Sequence, residues 1–249
     1  MQPVEGRGKL QSMGVYLRVK ICGVTNEADA IQAGLLGADA IGLNFYKGSP
    51  RYITPTKAES LLQQGMFPFV EPIGIFVSFD MRSDLKVVSD LKLRTVQLHE
   101  ADENSSLTFL SNSFGVRLIS AFSVSAKNDL ERINHFMEKC EQNALSLMAR
   151  GEQNAWRLPV AILVDARVLG QFGGTGKTAP WKLLADFGSR VPLILAGGLT
   201  PENVAEAVRI VRPYAVDVAS GVESSPGHKD PEKMKRFIEN AREAADHLQ

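Results

Sequence analysis

Short apolar runs alternate with longer amphipathic segments from residue 17 to the C-terminal end of the chain. Runs of this kind are typical of buried strands, and the segments between them have the apolar spacing of helices. Because strands that alternate with helices form parallel sheets, the pattern predicts an α/β fold. The eight predicted strands cover residues 17–22, 40–45, 72–77, 95–99, 116–122, 160–165, 192–196 and 215–219.

Eight strand–helix units in about 230 residues are typical of a single (β/α)8 TIM barrel. We expect one such parallel, eight-stranded barrel over residues 17–249. An open doubly wound sheet is the alternative, but it would carry a glycine-rich fingerprint after its first strand. The turn at residues 22–25 contains only one glycine. Residues 1–16, which contain no continuous apolar run, are expected to form a disordered N-terminal lead.

Several helix starts carry recognisable signals. The run Thr25-Asn26-Glu27 predicts the start of a first helix, with an N-cap and then an acidic first turn. Pro55 and Pro201 lie near the predicted starts of two others, where proline is tolerated. The last helix is expected to begin within residues 229–232, and residues 127–158 predict an extended helix followed by a surface loop.

The composition narrows the possible partners. The 249 residues include 28 Lys and Arg against 28 Asp and Glu, so no charge excess favours nucleic acid or an anionic membrane. No stretch approaches the roughly 18 apolar residues of a membrane span, and no signal peptide is evident. The two cysteines form no disulfide framework, and no Cys/His spacing predicts a metal site. A reducing, cytoplasmic setting is the simplest expectation, with the chain a monomer or a homodimer.

Two reactive side chains lie at predicted strand ends. Cys22 ends the first strand, and Asp165 ends the sixth. Taken alone, Cys22 also fits a small buried apolar residue, and Asp165 also fits a turn-forming carboxylate. In a barrel, however, both strands open onto the rim where catalysis takes place. A thiol and a carboxyl on opposite sides of a small substrate suit acid–base isomerisation, whereas Cys140, among charged neighbours, is expected to be a bystander.

Glycines follow strands seven and eight. Gly197 and Gly198 end the seventh strand, and Ser220 and Gly221 end the eighth. Glycine lets a backbone approach a ligand with its N–H groups, and barrels often bind phosphate at these two loops. Tight turns are the alternative explanation for each pair alone. Together they predict a phosphate-binding site and therefore a phosphorylated small-molecule substrate.

A further glycine cluster follows strand six, at residues 173–178. It does not fit a Walker A motif, because Gln171 occupies the position of the required first glycine. A dinucleotide fingerprint is also disfavoured after a sixth strand. We therefore expect a mobile lid in which Gly174 and Gly176 contact the substrate.

Three more polar residues are candidates for substrate binding. Arg51 follows Pro50 after strand two, and arginine binds carboxylates in a bidentate manner. His99 ends strand four and fits a substrate contact or a structural histidine equally well. Asp217 lies among valines in strand eight, where a carboxylate needs a partner or a place in the barrel mouth, and a sugar hydroxyl is one such partner.

Motifs along nearly the whole chain from Val19 closely resemble the phosphoribosylanthranilate isomerase family of tryptophan biosynthesis. The motifs occur in the family's order and with its separations. They are VKICGVT at 19–25, GADAIG at 37–42, SPRY at 49–52, VQLH at 96–99, GGTGKT at 173–178, LAGGLTPENV at 195–204, VDVASGVE at 216–223 and PGHKD at 226–230. Glu100 stands where the family usually has glycine.

The resemblance implies an Amadori rearrangement of N-(5-phosphoribosyl)anthranilate to 1-(2-carboxyphenylamino)-1-deoxyribulose 5-phosphate, the third step from chorismate to tryptophan. It implies that Cys22 is the general base, that Asp165 is the general acid and that Arg51 binds the anthranilate carboxylate. The glycine loops then hold the phosphate, and no cofactor is needed. An ordinary thiol is only a few per cent thiolate at neutral pH, so either the site or substrate binding must favour the thiolate.

Two other functions are compatible with parts of the pattern. Another sugar-phosphate isomerase is the first, including bifunctional barrels that also act in histidine synthesis, although those usually carry aspartate at the position of Cys22. A non-catalytic barrel that binds a phosphorylated ligand is the second. It would need the glycine loops but not Cys22 and Asp165 together.

Overall fold

The computed structural model describes residues 16–63, 70–77, 79–80, 82–99, 115–150, 159–166 and 181–248. Within these ranges, eight parallel strands pair in chain order and close into a barrel through the pairing of the first strand with the eighth. The strands are β1 (Arg18–Cys22), β2 (Ala40–Asn44), β3 (Glu71–Val77), β4 (Thr95–His99), β5 (Arg117–Ser123), β6 (Ala161–Asp165), β7 (Leu193–Ala196) and β8 (Ala215–Val218). The predicted (β/α)8 TIM barrel is confirmed.

Helices lie between the strands and after the last one. They are α1 (Glu27–Leu35), α2 (Pro55–Gln63), α3 (Ser83–Asp90), α4 (Lys127–Ala149), α5 (Trp181–Ala185), α6 (Val204–Val211) and α7 (Pro231–Asp246). A 3-10 helix (Ser220–Val222) and a small antiparallel pair, β9 (Glu223–Ser225) and β10 (His228–Lys229), connect β8 to α7. Within the described ranges, no helix has both the length and the apolar character needed to cross a membrane.

Side chains cap two of the predicted helix starts. Asn26 caps α1, with its side-chain oxygen 2.9 Å from the backbone nitrogen of Asp29. Asp230 caps α7 through the backbone nitrogen of Lys233 at 3.0 Å, and Pro231 occupies the first turn. Side-chain oxygens at these positions satisfy N–H groups that have no partner within the helix. Because these caps fix where α1 and α7 begin, they also fix the length of the loop before each helix.

The core has two layers. Alternate strand residues point outward and pack against the helices, as Val19 and Ile21 do. The inward-pointing residues fill the barrel interior, among them Ile73, Ile119 and Leu163. All parallel strands end at the same rim, so polar residues at their C-terminal ends are brought together above this apolar filling.

Three predictions concern the less regular parts of the chain. The long helix predicted in residues 127–158 is present as α4, and residues 151–158 lie outside the described residues. The predicted N-terminal lead, residues 1–16, also lies outside them except for Tyr16. Cys140 lies on α4 and is partly buried against the core.

Candidate active site

A cavity of about 150 Å³ opens at the C-terminal ends of the strands. Side chains and loops from β1, β2, β3, β4, β6, β7 and β8 line it. Gly221 follows one of the lining residues directly, whereas Gly174 and Gly176 lie outside the described residues. The predicted site residues that line the cavity are Cys22, Arg51, His99, Asp165, Gly197, Gly198, Asp217 and Ser220.

A larger cavity, of about 320 Å³, lies at the opposite mouth of the barrel. Its walls come from residues at the starts of the strands, such as Arg18, Ala40 and Arg117. Barrel enzymes place their chemistry at the C-terminal rim, and the N-terminal face contributes to stability. The smaller cavity, which collects the reactive side chains, is therefore the candidate active site.

Cys22 reaches this cavity because it is the last residue of β1. It pairs with Gly42 on β2, and a Cβ atom added to Gly42 would lie 3.2 Å from the Cys22 sulfur. The same atom would lie 2.8 Å from Cδ1 of Ile75, closer than carbon atoms tolerate. Gly42 thus leaves space beside the thiol, a role that the sequence alone does not show.

The environment of Cys22 favours the thiol over the thiolate. Burial raises the pKa of Cys22, and the negative charge of Asp217 raises it further. The ammonium groups of Lys20 and Lys229 act in the opposite direction without cancelling the rise. Without a bound molecule, the site itself therefore does not favour a thiolate at Cys22.

Asp217 has a partner in the barrel interior. Its Oδ1 atom accepts a hydrogen bond from Lys20 Nζ at 2.8 Å, and both side chains are buried. The two residues face each other in the register of β1 and β8. The sequence predicts that Asp217 needs a partner, but it does not identify Lys20, which lies 197 positions away.

Asp165 ends β6 and is half-buried at the cavity wall. Three strand pairings separate β6 from β1 around the closed barrel, so Asp165 and Cys22 approach the cavity from different sides. Because both residues line the same cavity, a carboxyl and a thiol could reach one bound molecule from different sides. It is the geometry that two-residue acid–base catalysis requires.

Arg51 is held in place by a carboxylate. Its Nε and Nη2 atoms donate to the two oxygens of Glu223 at 2.8 and 2.7 Å. Lys229 Nζ donates to the same carboxylate at 2.9 Å, and Glu223 is almost fully buried. Burial would raise the pKa of Glu223, but the hydrogen bonds from Arg51 and Lys229 hold it below its ordinary value.

Gly23 allows the Arg51 side chain to lie where it does. It has a φ of +72°, and an added Cβ atom would lie 2.5 Å from Cδ of Arg51. Both the backbone conformation and the contact therefore require glycine. The bidentate pair with Glu223 occupies the Nε–Nη2 edge, and the Nη1–Nη2 edge is the one suited to a second carboxylate.

His99 and Gln97 form one polar wall of the cavity. Gln97 Nε2 lies 2.9 Å from His99 Nε2. Since the amide nitrogen can only donate, His99 Nε2 is the acceptor in this contact. Gln97 Oε1 is buried and has no hydrogen-bond partner among the described residues. It can accept a hydrogen bond from a bound molecule, a role that sequence reasoning missed.

The two glycine loops lie side by side at the rim. Gly197 and Gly198 have φ values of +93° and +63°, and an added Cβ on Gly198 would contact nothing within 4 Å. Asn203 fixes this loop, because its Nδ2 donates to the Gly198 oxygen at 2.9 Å. Ser220 begins the 3-10 helix after β8. The combination of loops seven and eight with a short helix is where barrels commonly bind phosphate.

Gly221 joins the two loops by close packing. An added Cβ atom would lie 1.9 Å from the backbone oxygen of Leu199. We expect Gly221→Ala to separate the loops, to lower the free energy of unfolding by about 1–3 kcal/mol and to raise KM. Urea unfolding and steady-state kinetics measure both effects. Gly188→Ala is the matched control, because its added Cβ would contact nothing within 4 Å; equal effects of the two changes would contradict the prediction.

In the described part of the chain, no group of three or more His, Cys, Asp or Glu side chains is placed to bind a metal ion. The donors at the candidate site are a thiol, carboxyl groups, an arginine and backbone N–H groups. These groups suit proton transfer and anion binding.

Comparisons with known proteins agree on one family. The family model for N-(5'phosphoribosyl)anthranilate (PRA) isomerase matches residues 19–240. An N-(5'-phosphoribosyl)anthranilate isomerase of Acidithiobacillus ferrooxidans is 40% identical over 226 residues, covering 91% of this chain and 98% of the relative.

Solved structures give the same result. Phosphoribosyl anthranilate isomerase from Thermotoga maritima has a TM-score of 0.72 at 38% identity, over 92% of this chain and all of that one. A phosphoribosyl anthranilate isomerase in complex with reduced 1-(o-carboxyphenylamino)-1-deoxyribulose 5-phosphate has a TM-score of 0.69 at 37% identity. The match covers 92% of this chain and 100% of that one.

Proposed function

The chain belongs to the N-(5'-phosphoribosyl)anthranilate isomerase family, and we propose from its geometry how its residues carry out the family's reaction. It isomerises N-(5'-phosphoribosyl)anthranilate to 1-(2-carboxyphenylamino)-1-deoxyribulose 5-phosphate in tryptophan biosynthesis. The observation that carries the assignment of roles is that Cys22 and Asp165, from strands β1 and β6, line one cavity beside the two glycine loops.

Asp165 acts as the general acid in this proposal. It donates its proton to the ribose ring oxygen while the bond from C1 to that oxygen breaks. The nitrogen lone pair then forms the C1=N bond of an iminium ion. Cys22, as thiolate, removes the proton from C2, and the C2–H electrons form the C1=C2 bond of an enolamine. The enolamine tautomerises to the ketone, so the iminium itself is the electron sink.

Binding groups surround these two residues. Gly197, Gly198, Ser220 and Gly221 hold the phosphate through backbone N–H groups, and the free edge of Arg51 holds the anthranilate carboxylate. A phosphorylated small molecule is thus fixed at both ends, with its ribose between Cys22 and Asp165. The two free cysteines support a reducing compartment such as the cytoplasm as the place of this reaction.

The fluorescence of N-(5'-phosphoribosyl)anthranilate provides the test. The purified protein is expected to consume it without an added cofactor and to release the ribulose product. Aminoimidazole carboxamide ribotide is the control substrate, since a bifunctional barrel would convert it as well. Binding of the phosphorylated compound without turnover would favour a non-catalytic barrel instead.

Arg51 is expected to recognise the carboxylate and not the phosphate. Arg51→Met should weaken binding of the reduced product analogue by about 10–100-fold, since a charged hydrogen bond contributes about 1.5–3 kcal/mol. An analogue without the ring carboxylate should bind equally to both proteins. Glu223 keeps Lys229 as a partner in the variant, so the fold is retained.

Titration calorimetry measures these affinities. Arg209→Met, which changes an exposed arginine on α6, is the matched control and should bind like the wild type. The assignment fails if Arg51→Met weakens both analogues by the same factor, because the arginine would then act on the shared sugar phosphate.

A further inference from the structure

Beneath the proposed base lies a buried pair of opposite charges. Lys20 and Asp217 have side chains that are only 4% and 8% exposed, and their charged atoms are 2.8 Å apart. Taking two charges out of water costs about as much free energy as their attraction returns, so such a pair is a poor stabilising contact by itself. Asp217 lines the reactive cavity, whereas Lys20 lies behind it and lines the cavity at the opposite mouth. Through Asp217 the pair therefore reaches the reactive cavity, which points to a role in catalysis.

The geometry couples this pair to the thiol. Lys20 and Cys22 are two positions apart on β1, so both side chains point into the barrel. The ammonium group of Lys20 acts on the Cys22 sulfur as a charge and as a hydrogen-bond donor. Asp217 and Cys22 more than offset the effect of burial on Lys20, so the pKa of Lys20 is raised and the group keeps its charge.

Lys229, on β10, also acts to lower the pKa of Cys22, but its charge is paired with a carboxylate, as is that of Arg51. Glu223 pairs with both Arg51 and Lys229. His99 and Asp165 belong to other parts of the cavity wall. The charges that act on Cys22 from its own strand and the adjacent strand β8 are therefore Lys20 and Asp217, with opposite signs.

We propose that Lys20 stabilises the Cys22 thiolate, and that Asp217 destabilises the same thiolate until a substrate hydroxyl binds to Asp217. Only Oδ1 of Asp217 bonds to Lys20, and the residue also lines the cavity, so Oδ2 is the atom that accepts from the ribose. A hydroxyl that donates to this atom partly neutralises the negative charge of Asp217. The positive charge of Lys20 then has the larger effect on the Cys22 sulfur. Lys20 is thus a positioning residue that works through Cys22, and the inference rests on the proposed function of Cys22 as base.

Titration of Cys22 itself is the test. We would label cysteine Cβ with 13C in a Cys140→Ser background and follow the NMR shift of Cys22 with pH. Lys20→Met is expected to raise the midpoint of the Cys22 titration by at least one pH unit, and Asp217→Asn is expected to lower it by at least one. Because the base acts deprotonated, the rise of kcat/KM with pH should move in the same directions.

The same titration tests whether binding of a hydroxyl to Asp217 lowers the pKa of Cys22. The reduced product analogue, which carries the ribose-derived hydroxyls, should lower the Cys22 midpoint in the parent protein and leave it unchanged in Asp217→Asn. An analogue that lowers both midpoints equally, or neither, contradicts the proposed effect of hydroxyl binding.

Matched controls come from the exposed pair Lys86 and Asp90, whose charged atoms lie 2.6 Å apart on α3. Lys86→Met and Asp90→Asn should leave the midpoint in place. If Lys20→Met fails to fold, Asp217→Asn decides, and an unchanged or higher midpoint overturns the inference. A fully active Cys22→Ser would refute the base instead, whatever the titration shows, so the two failures are distinguishable.

Discussion

Replacement of Cys22 by serine is expected to lower kcat by about 10³-fold, the scale of a lost general base. A serine hydroxyl is a far weaker acid than a thiol, so almost none of it is ionised at any pH where the protein is folded. Its similar size should leave substrate binding, and therefore KM, nearly unchanged. Initial rates of fluorescence loss measure both parameters.

Cys140→Ser is the matched control for this change. Cys140 lies on α4 and does not line the cavity, so its replacement should leave kcat at the wild-type value. If Cys22→Ser retained near-full turnover, a different group would have to remove the C2 proton. The assignment of the pathway would survive that result, but the assignment of the base would not.

Replacement of Asp165 by asparagine is expected to lower kcat by about 10²–10⁴-fold. Asparagine keeps the shape and the hydrogen bonding of the side chain, but it cannot transfer a proton to the ribose ring oxygen. Ring opening then becomes the slow step. Asp186→Asn, on an exposed residue after α5, is the control and should keep full activity.

An isotope effect separates the two roles. Substrate with deuterium at C2 of the ribose should react more slowly in Cys22→Ser, where removal of that proton limits the rate. The isotope effect should disappear in Asp165→Asn, because ring opening precedes the C2 step. The reverse pattern would mean that the two residues have exchanged roles.

The barrel could be predicted from the sequence because its signal is local and repeated. Each strand is a short apolar run, and strand β4 begins and ends at the predicted residues, Thr95 and His99. The largest difference is at β5, which is displaced by one residue to Arg117–Ser123. Polar or charged residues at the ends of an apolar run leave such boundaries open.

Many of the side chains that line the candidate cavity could also be predicted, because parallel strands bring their ends to one rim. The charged residues that pair with these side chains could not be predicted. Glu223 lies 172 positions from Arg51, and the sequence offers no sign that these two side chains meet. Lys20 belongs to the same class, since its contact with Asp217 depends on the register that closes the barrel.

The electrostatic environment of Cys22 could not be predicted from the sequence either. Position identifies the residue, but its acidity depends on burial and on charges from distant strands. The role of Gly42 could not be predicted either, because it depends on the space that this residue leaves beside the Cys22 sulfur and beside Ile75. Such properties arise only when the elements pack.

The seam between β1 and β8 has a consequence for the order in which this protein matures. A chain emerging from the ribosome presents Cys22 early, but Asp217, the carboxylate that pairs with Lys20, is synthesised 197 residues after that lysine. Contacts of such separation form late in folding, since the intervening chain must first be ordered. The Cys22 thiol of a growing chain therefore has an ordinary pKa, and the burial and the charges that raise this pKa are complete only when β1 pairs with β8.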